Sequence, residues 1–213
     1  MQMCCVLLAL LALVAPGAVV LDRIAVIVGR HVIKTSDIDR EVRLTDFVNA
    51  QPLDLSTAAR KKAADRLIDQ DIIRNEVEVA GYATASAADA DKLLAQMKAN
   101  RFRSDAQYRA ALRQYGITEE QLKAQLLWQL TVLRFIEQRF RPGVLVSDED
   151  VRKYYDTHAV ELRKTSGGNS SMEALRPKIQ EILAGEQVNE QFFAWLDQSR
   201  KQLRIQFRDD AFQ

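Results

Sequence analysis

Cysteine and histidine are scarce in this chain of 213 residues, and their scarcity excludes several kinds of site. The only cysteines, Cys4 and Cys5, adjoin each other near the start, and the two histidines, His31 and His158, are far apart. His158 and Glu161 are spaced to share one face of a helix, but a zinc site needs three or four protein ligands. We therefore expect no metal site, and no cysteine nucleophile once the N-terminal segment has been removed.

Glycine is also uncommon, and no phosphate-binding Gly-rich loop or Gly-x-Gly-x-x-Gly pattern is present. No serine lies in a Gly-x-Ser-x-Gly frame. Thirty basic residues against 29 acidic ones leave a net charge of +1, which does not favour nucleic acid or an anionic membrane surface. Carboxylates are numerous, but no pattern singles out a hydrolytic pair. The sequence therefore predicts no cofactor, no nucleotide, no nucleic-acid partner and no enzyme active site.

The first 21 residues contain no charged side chain, and an unbroken apolar run extends from Val6 to Ala15. Pro16, Gly17 and Ala18 follow it, as expected of a cleaved secretory signal peptide. We predict a signal peptide over residues 1–18 and export to the periplasm. The alternative is an uncleaved membrane anchor, although the run is shorter than the roughly 20 residues needed to span a bilayer. Membrane contact is expected only in that case.

The longest amphipathic pattern lies between Ile117 and Phe140 and predicts a central, largely buried helix. Thr118 and Gln121 have the spacing of a capping box at its start. The predicted buried face consists of large apolar residues at three- and four-residue steps: Leu122, Leu126, Leu130, Leu133, Ile136 or Glu137, and Phe140. Leu127, Val132 and Phe135 widen it.

The remaining chain predicts a mostly α-helical fold of about seven helices around this central helix. Serines precede apolar periodic segments and predict further helix starts at Ser36, Ser56, Ser86, Ser104 and Ser147. A small antiparallel sheet is predicted from a hairpin over residues 24–33, with Gly29 and Arg30 in its turn. Since a lone hairpin is marginally stable, we expect residues 204–207 to supply a third strand and to bring the chain ends together.

Several stretches resemble the SurA-type periplasmic folding factors, which are relatives of the parvulin prolyl isomerases. Residues 24–38 are similar to the opening hairpin of that family, which leads into a Ser-Asp helix start. Residues 64–73, followed by the central helix, resemble its N-terminal helical domain. Residues 146–158 look like the segment that leads into the parvulin domain, and residues 175–207 resemble the closing helix and strand.

The chain departs from this family between Tyr155 and Met172, where the interval is far too short to hold a parvulin domain. No catalytic position of the isomerase can therefore be carried over. The resemblance implies a helical chaperone domain over residues 19–164, a flexible linker over 165–172 in place of the parvulin domain, and a closing helix and strand over 173–213.

The resemblance further implies an ATP-independent chaperone whose partners are unfolded exported polypeptides, with outer-membrane protein precursors as one client class. The expected lining of its apolar groove is aromatic: Phe102, Tyr108, Trp128 and Phe135. Packing in the core is the alternative interpretation of each of these side chains. The alternatives are a prolyl isomerase family member with residual or no activity, and an envelope protein with one dedicated partner.

A group of basic residues provides a second candidate surface, for an acidic or polypeptide partner. It consists of Lys98, Arg101, Arg103, Arg109 and Arg113. An ordinary solvated helical surface is the alternative interpretation of this group.

Overall fold

The computed structural model describes residues 22–165 and 171–212. The predicted signal peptide and most of the predicted linker lie outside the described residues. The helices are α1 (Thr35–Val48), α2 (Thr57–Ala80), α3 (Ala87–Arg101), α4 (Asp105–Tyr115), α5 (Glu119–Phe140), α6 (Asp148–Thr165) and α7 (Met172–Gln202). The strands are β1 (Ile24–Val28), β2 (His31–Lys34) and β3 (Ile205–Phe207), and short 3-10 helices span Arg141–Gly143 and Asp209–Phe212. The predicted mostly α-helical fold with a small sheet is confirmed.

The two chain ends meet in an antiparallel sheet of order β2-β1-β3. Val28 pairs with His31 across the hairpin and with Ile205 on β3. Gly29 adopts a φ of 58°, a left-handed conformation that suits glycine in this tight turn. Its N–H also donates to the carbonyl of Arg204 at 2.9 Å. The prediction that residues 204–207 join the hairpin is confirmed.

Most predicted helix starts coincide with observed caps. Ser56, Ser86, Ser104 and Thr118 each accept a hydrogen bond from a backbone N–H in the first turn of the helix that follows. The predicted start at Ser36 is wrong, because α1 begins one residue earlier, at Thr35. The hydroxyl of Ser36 instead donates to Asp22 Oδ2 at 2.5 Å, which ties the start of α1 to the residue before the sheet.

Helix α5 joins two hydrophobic clusters. Near its start, Leu122 and Leu126 pack into a cluster with α1, α3 and α4, while Phe135 and Phe140 pack into the main core with the sheet, α2 and α7. The predicted buried face is wrong in the middle of the helix, since Leu133 is 60% exposed. The burial passes instead through Trp128, Thr131 and Phe135, because the helix packs on different neighbours along its length.

The third cluster belongs to a pair of packed helical segments that we call the α6–α7 arm, consisting of residues 148–165 and 172–183. Its core is formed by Val151, Leu162, Leu175 and Ile179, and these residues belong to neither of the other clusters. An ion pair between Arg176 and Asp148 also joins the two helices. Beyond the arm, α7 continues into the main core. The arm therefore has its own packing and is joined to the body through the continuation of α7 and through an ion pair between Arg141 and Glu181.

Candidate functional site

An open cleft lies between α2 and α5, and we call it the α2–α5 cleft. Its volume is about 710 Å³. The lining is mainly apolar and consists of Arg74, Val77, Glu78, Gly81, Tyr82, Thr84, Ala85, Ala124, Leu127, Trp128 and Thr131. Such an open, largely apolar concave surface is the usual form of a ligand or peptide site.

The loop after α2 forms one wall of this cleft. Gly81 ends α2 with a φ of 70°, which turns the chain back toward α5. Side chains of α5 then bind the loop backbone: Thr131 Oγ1 accepts from the N–H of Ala85 at 3.2 Å, and Arg134 Nη1 donates to the carbonyl of Thr84 at 2.6 Å. These bonds fix the loop at a distance from α2 and keep the cleft open.

Arg74 and Trp128 form the central contact of the cleft. The guanidinium carbon of Arg74 lies 4.0 Å from the centre of the Trp128 ring, a cation–π arrangement. Trp128 is 9% exposed, so its ring serves both as a floor for the arginine and as part of the main core. Burial by the surrounding protein lowers the pKa of Arg74 from its ordinary value. The cleft therefore presents a cation fixed on an aromatic face.

A smaller and more polar depression adjoins the α2–α5 cleft. It measures about 190 Å³ and shares Arg74 and Ala124 with the larger cleft. Its other lining residues are Asp37, Arg40, Glu41, Leu44, Leu67, Gln70, Gln121 and Gln125. The two depressions follow the same pair of helices, with Arg74 at their junction. Together they form a groove suited to an extended chain.

Of the four aromatic residues predicted to line a groove, only Trp128 lies in the α2–α5 cleft. Phe135 is fully buried in the main core, where its ring lies 5.1 Å from that of Tyr82 and 5.4 Å from that of Trp195. Phe102 and Tyr108 pack against each other in the second cluster, with ring centres 5.4 Å apart. The structure thus divides the four residues between two clusters, and contact with a client stays a prediction for each of them.

Tyr108 is an unusual core residue. It is 1% exposed, and among the described residues its hydroxyl has no hydrogen-bond partner. The ammonium of Lys98 lies 4.2 Å from its ring centre. Burial, followed by the proximity of Glu119, raises the pKa of Tyr108. Tyr108 is buried and lines neither the α2–α5 cleft nor the depression that adjoins it, which indicates a structural role.

The predicted basic surface is largely occupied by contacts within the protein. Arg101 donates to the carbonyls of Phe47 at 2.8 Å and Val48 at 3.0 Å, where α1 ends. Lys98 and Arg109 both pair with Asp105. These partners favour the interpretation of the group as a structural and solvated surface.

A third depression, of about 390 Å³, lies where the hairpin meets α2 and α7. Its mouth holds an ion pair between His31 Nδ1 and Asp71 Oδ1 at 2.7 Å. Ser199 lines the same depression, but no hydrogen bond of the described residues joins its hydroxyl to His31, so the three side chains do not form a catalytic triad. The sequence analysis missed both this pair and the Arg74–Trp128 contact. No spacing rule connects residues that meet only in the folded state.

Residues 22–165 and 171–212 provide neither a cluster of metal ligands nor a membrane-spanning helix. Within these ranges no three side chains of the His, Cys, Asp or Glu type come close enough to hold a metal ion. Every helix described there is too short or too polar to cross a lipid bilayer.

Comparison with known proteins identifies the family of this chain. A model of the SurA-like N-terminal domain matches residues 3–135. Two curated relatives, both called foldase protein PrsA and both from strains of Clostridium kluyveri, are each 23% identical over 163 residues. That alignment covers 67% of this chain and 48% of each relative, so the chain spans about half the length of the curated relatives it matches.

The matched range includes the sheet hairpin, α1 to α4 and most of α5. It ends before residues 146–158 and 175–207, so the resemblance in those two stretches stays a prediction. All residues that line the α2–α5 cleft lie inside it. Because the match extends over more than half of the chain, the protein belongs to the SurA-like N-terminal domain family.

Proposed function

We propose that this protein is an ATP-independent chaperone that binds unfolded exported polypeptides in the α2–α5 cleft. The single observation that carries the proposal is an open apolar cleft of about 710 Å³ in a member of the SurA-like family. The name of the relatives, foldase, supports the same class of function. Capture of a client requires accessible apolar surface and no nucleotide, which agrees with the mainly apolar lining.

The dimensions of the groove suit a short extended segment. From Leu67 to Gly81 the α2 side extends for about 21 Å, at roughly 1.5 Å per helical residue. An extended chain advances about 3.3 Å per residue, so the groove accommodates roughly six residues. Burial of so few side chains gives weak, reversible binding that tolerates many sequences. A holding chaperone needs this behaviour.

The proposed location is the periplasm, and outer-membrane protein precursors are one proposed client class. The apolar segment over residues 1–18 supports export as a signal peptide. The proposed working unit consists of residues 19–164 and 173–213, joined by a flexible linker over 165–172 in place of the isomerase domain. The sheet between the chain ends supports this division, because β3 completes the hairpin at residues 24–34.

Suppression of client aggregation tests the function directly. Residues 19–213 should slow the aggregation of a denatured outer-membrane protein, measured by light scattering at several-fold molar excess and without ATP. Ala124 is exposed and lies at the junction of the two depressions, so Ala124→Gln should obstruct the groove and weaken the suppression. The matched control is Ala110→Gln, at an exposed position of α4 that lines neither depression. Equal suppression by both variants would contradict the placement of the client, and no suppression by the unmodified protein would contradict the function.

Two other functions are separated by assays on the same preparation. A prolyl isomerase would accelerate cis–trans exchange of a proline peptide, and we expect no acceleration because the interval between Tyr155 and Met172 cannot hold a parvulin domain. An envelope protein with a dedicated partner would retain one stoichiometric protein in a pull-down. We expect many unfolded clients instead.

A further inference from the structure

We infer that the α2–α5 cleft selects client segments in which an acidic residue adjoins an apolar one, and that Arg74 binds the acidic side chain. This inference rests on the proposed function and specifies its client class. The apolar side chain would occupy the larger depression, and the carboxylate would reach the guanidinium at the junction with the smaller one.

The first argument is that the other charged residues lining the smaller depression belong to ion pairs within the protein, whereas Arg74 belongs to no ion pair of the described residues. Around the adjoining depression, Arg40 pairs with Asp37 at 2.5 Å and Glu41 pairs with Arg66 at 3.0 Å. Among the described residues, no ion pair includes Arg74. Its guanidinium is therefore available to a carboxylate from outside.

The second argument is that the protein fixes this cation and removes part of its water. Stacking on Trp128 at 4.0 Å restricts the plane of the guanidinium, so less conformational entropy is lost when a carboxylate binds in a bidentate manner. The lowered pKa of Arg74, caused by burial, reflects the same loss of water. A carboxylate would restore favourable interactions that the partial burial has removed.

One acidic residue of the cleft argues for a defined orientation of the client. Glu78 lies one helical turn beyond Arg74 and lines only the larger depression. Its carboxylate would repel an acidic side chain at that end of the cleft. The acidic residue of a client should therefore lie at the junction beside Arg74, and the apolar residue should lie between Arg74 and Glu78.

Binding of three fluorescent hexapeptides tests the inference by anisotropy at low salt. The peptides share one central leucine and differ in the preceding residue, which is aspartate, asparagine or lysine. The unmodified protein should bind the aspartate peptide at least about fivefold more tightly than the asparagine peptide, a typical gain for a charge-assisted hydrogen bond in a partly exposed site. The lysine peptide should bind most weakly, and added salt should reduce the preference.

Variants of Arg74 assign the preference to one residue. Arg74→Gln should bind the three peptides about equally, Arg74→Glu should prefer the lysine peptide, and Arg74→Lys should retain part of the aspartate preference. Arg152→Gln removes the same charge from an exposed position on α6, outside both depressions, and should leave the preference unchanged. Circular dichroism of each variant verifies that it is folded.

The outcomes separate this inference from the proposed function. Equal binding of the three peptides by the unmodified protein, with aggregation suppression intact, would overturn the charge preference and leave the chaperone function standing. Loss of the preference in Arg152→Gln would overturn the role of Arg74 in favour of net charge. Absence of binding to any peptide together with absence of aggregation suppression would overturn the proposed function itself.

Discussion

His31 Nδ1, at the tip of the hairpin, lies 2.7 Å from Asp71 Oδ1 on α2, so one ion pair connects the sheet to the longest helix of the N-terminal half. The hydrogen bond to Asp71 raises the pKa of His31 above its ordinary value of 6.5. A raised folded-state pKa gives a stabilisation that is fully present below the unfolded-state pKa and is lost as the pH rises through the folded-state pKa. Asp71→Asn should therefore lower the melting temperature more at about pH 5.5 than at about pH 8.5.

The size of this effect is limited by solvent. The His31 side chain is 64% exposed, so the pair should contribute no more than about 1 kcal/mol. A titration of His31 followed by NMR provides the control, since Asp71→Asn should lower the pKa of His31. An unchanged His31 titration in the variant would refute the role of the pair.

The elements whose signals are local could be predicted from the sequence. Capping at Ser86 depends on Asp89, three residues away, and the observed bonds follow that spacing. The third strand was predictable because Ile205 and Phe207 alternate with polar residues, as in a β-strand. The predicted hairpin also needed a third strand for stability, and β3 pairs with it. In both cases the signal lies within a short segment of the sequence, so few alternative structures are compatible with it.

The predictions from the sequence are wrong where one helix packs against several neighbouring elements. Leu133 fits an ideal helical stripe but is exposed, because α5 turns different faces to its successive neighbours. The Arg74–Trp128 contact was missed for a similar reason, because the two residues lie on different helices and are connected by no spacing rule. Arg101 was placed in a docking surface although it binds the end of α1. Such contacts depend on tertiary packing, which a periodic pattern does not encode.

Glu41 is a buried carboxylate. Its hydrogen-bond partners predict how far the free energy of unfolding falls when its cationic partner is removed. It is 4% exposed and accepts hydrogen bonds from Arg66 Nε at 3.0 Å, Gln70 Nε2 at 3.3 Å and Thr45 Oγ1 at 3.1 Å. Arg66→Met would leave the charge with two neutral donors, and should lower the free energy of unfolding in urea by about 1–3 kcal/mol.

A surface pair gives the matched control for this substitution. Arg109 and Asp105 are both more than half exposed, so Arg109→Met should change the free energy of unfolding by less than about 0.5 kcal/mol. Similar losses in the two variants would show that the burial of Glu41 is not the cause.

Replacement by alanine should change the stability of the protein in opposite directions at two helix-associated glycines. Gly116 ends α4 with a φ of 63°, and an added Cβ would lie 2.9 Å from Arg43 Nη1, which itself donates to the carbonyl of Tyr115. Gly116→Ala should therefore destabilise the protein by about 1 kcal/mol or more. Gly185 lies within α7 with open space around an added Cβ, so Gly185→Ala should stabilise it by up to about 1 kcal/mol. Chemical denaturation measures both, and stabilisation by Gly116→Ala would contradict the argument from its conformation.

The separate cluster of the α6–α7 arm predicts that the arm opens independently of the body. Ile179 is fully buried there and packs with Val151, Leu162 and Leu175 instead of the main core. Ile179→Ala should create a cavity that costs about 2–5 kcal/mol, but the loss should fall on the arm alone. Amide exchange should accelerate in residues 148–165 and 172–183 and remain unchanged in α2 and α5. Phe135→Ala supplies the contrast, because Phe135 belongs to the main core and its loss should accelerate exchange in α2 and α5 as well. Acceleration throughout the chain in Ile179→Ala would show that the arm and the body unfold as one unit.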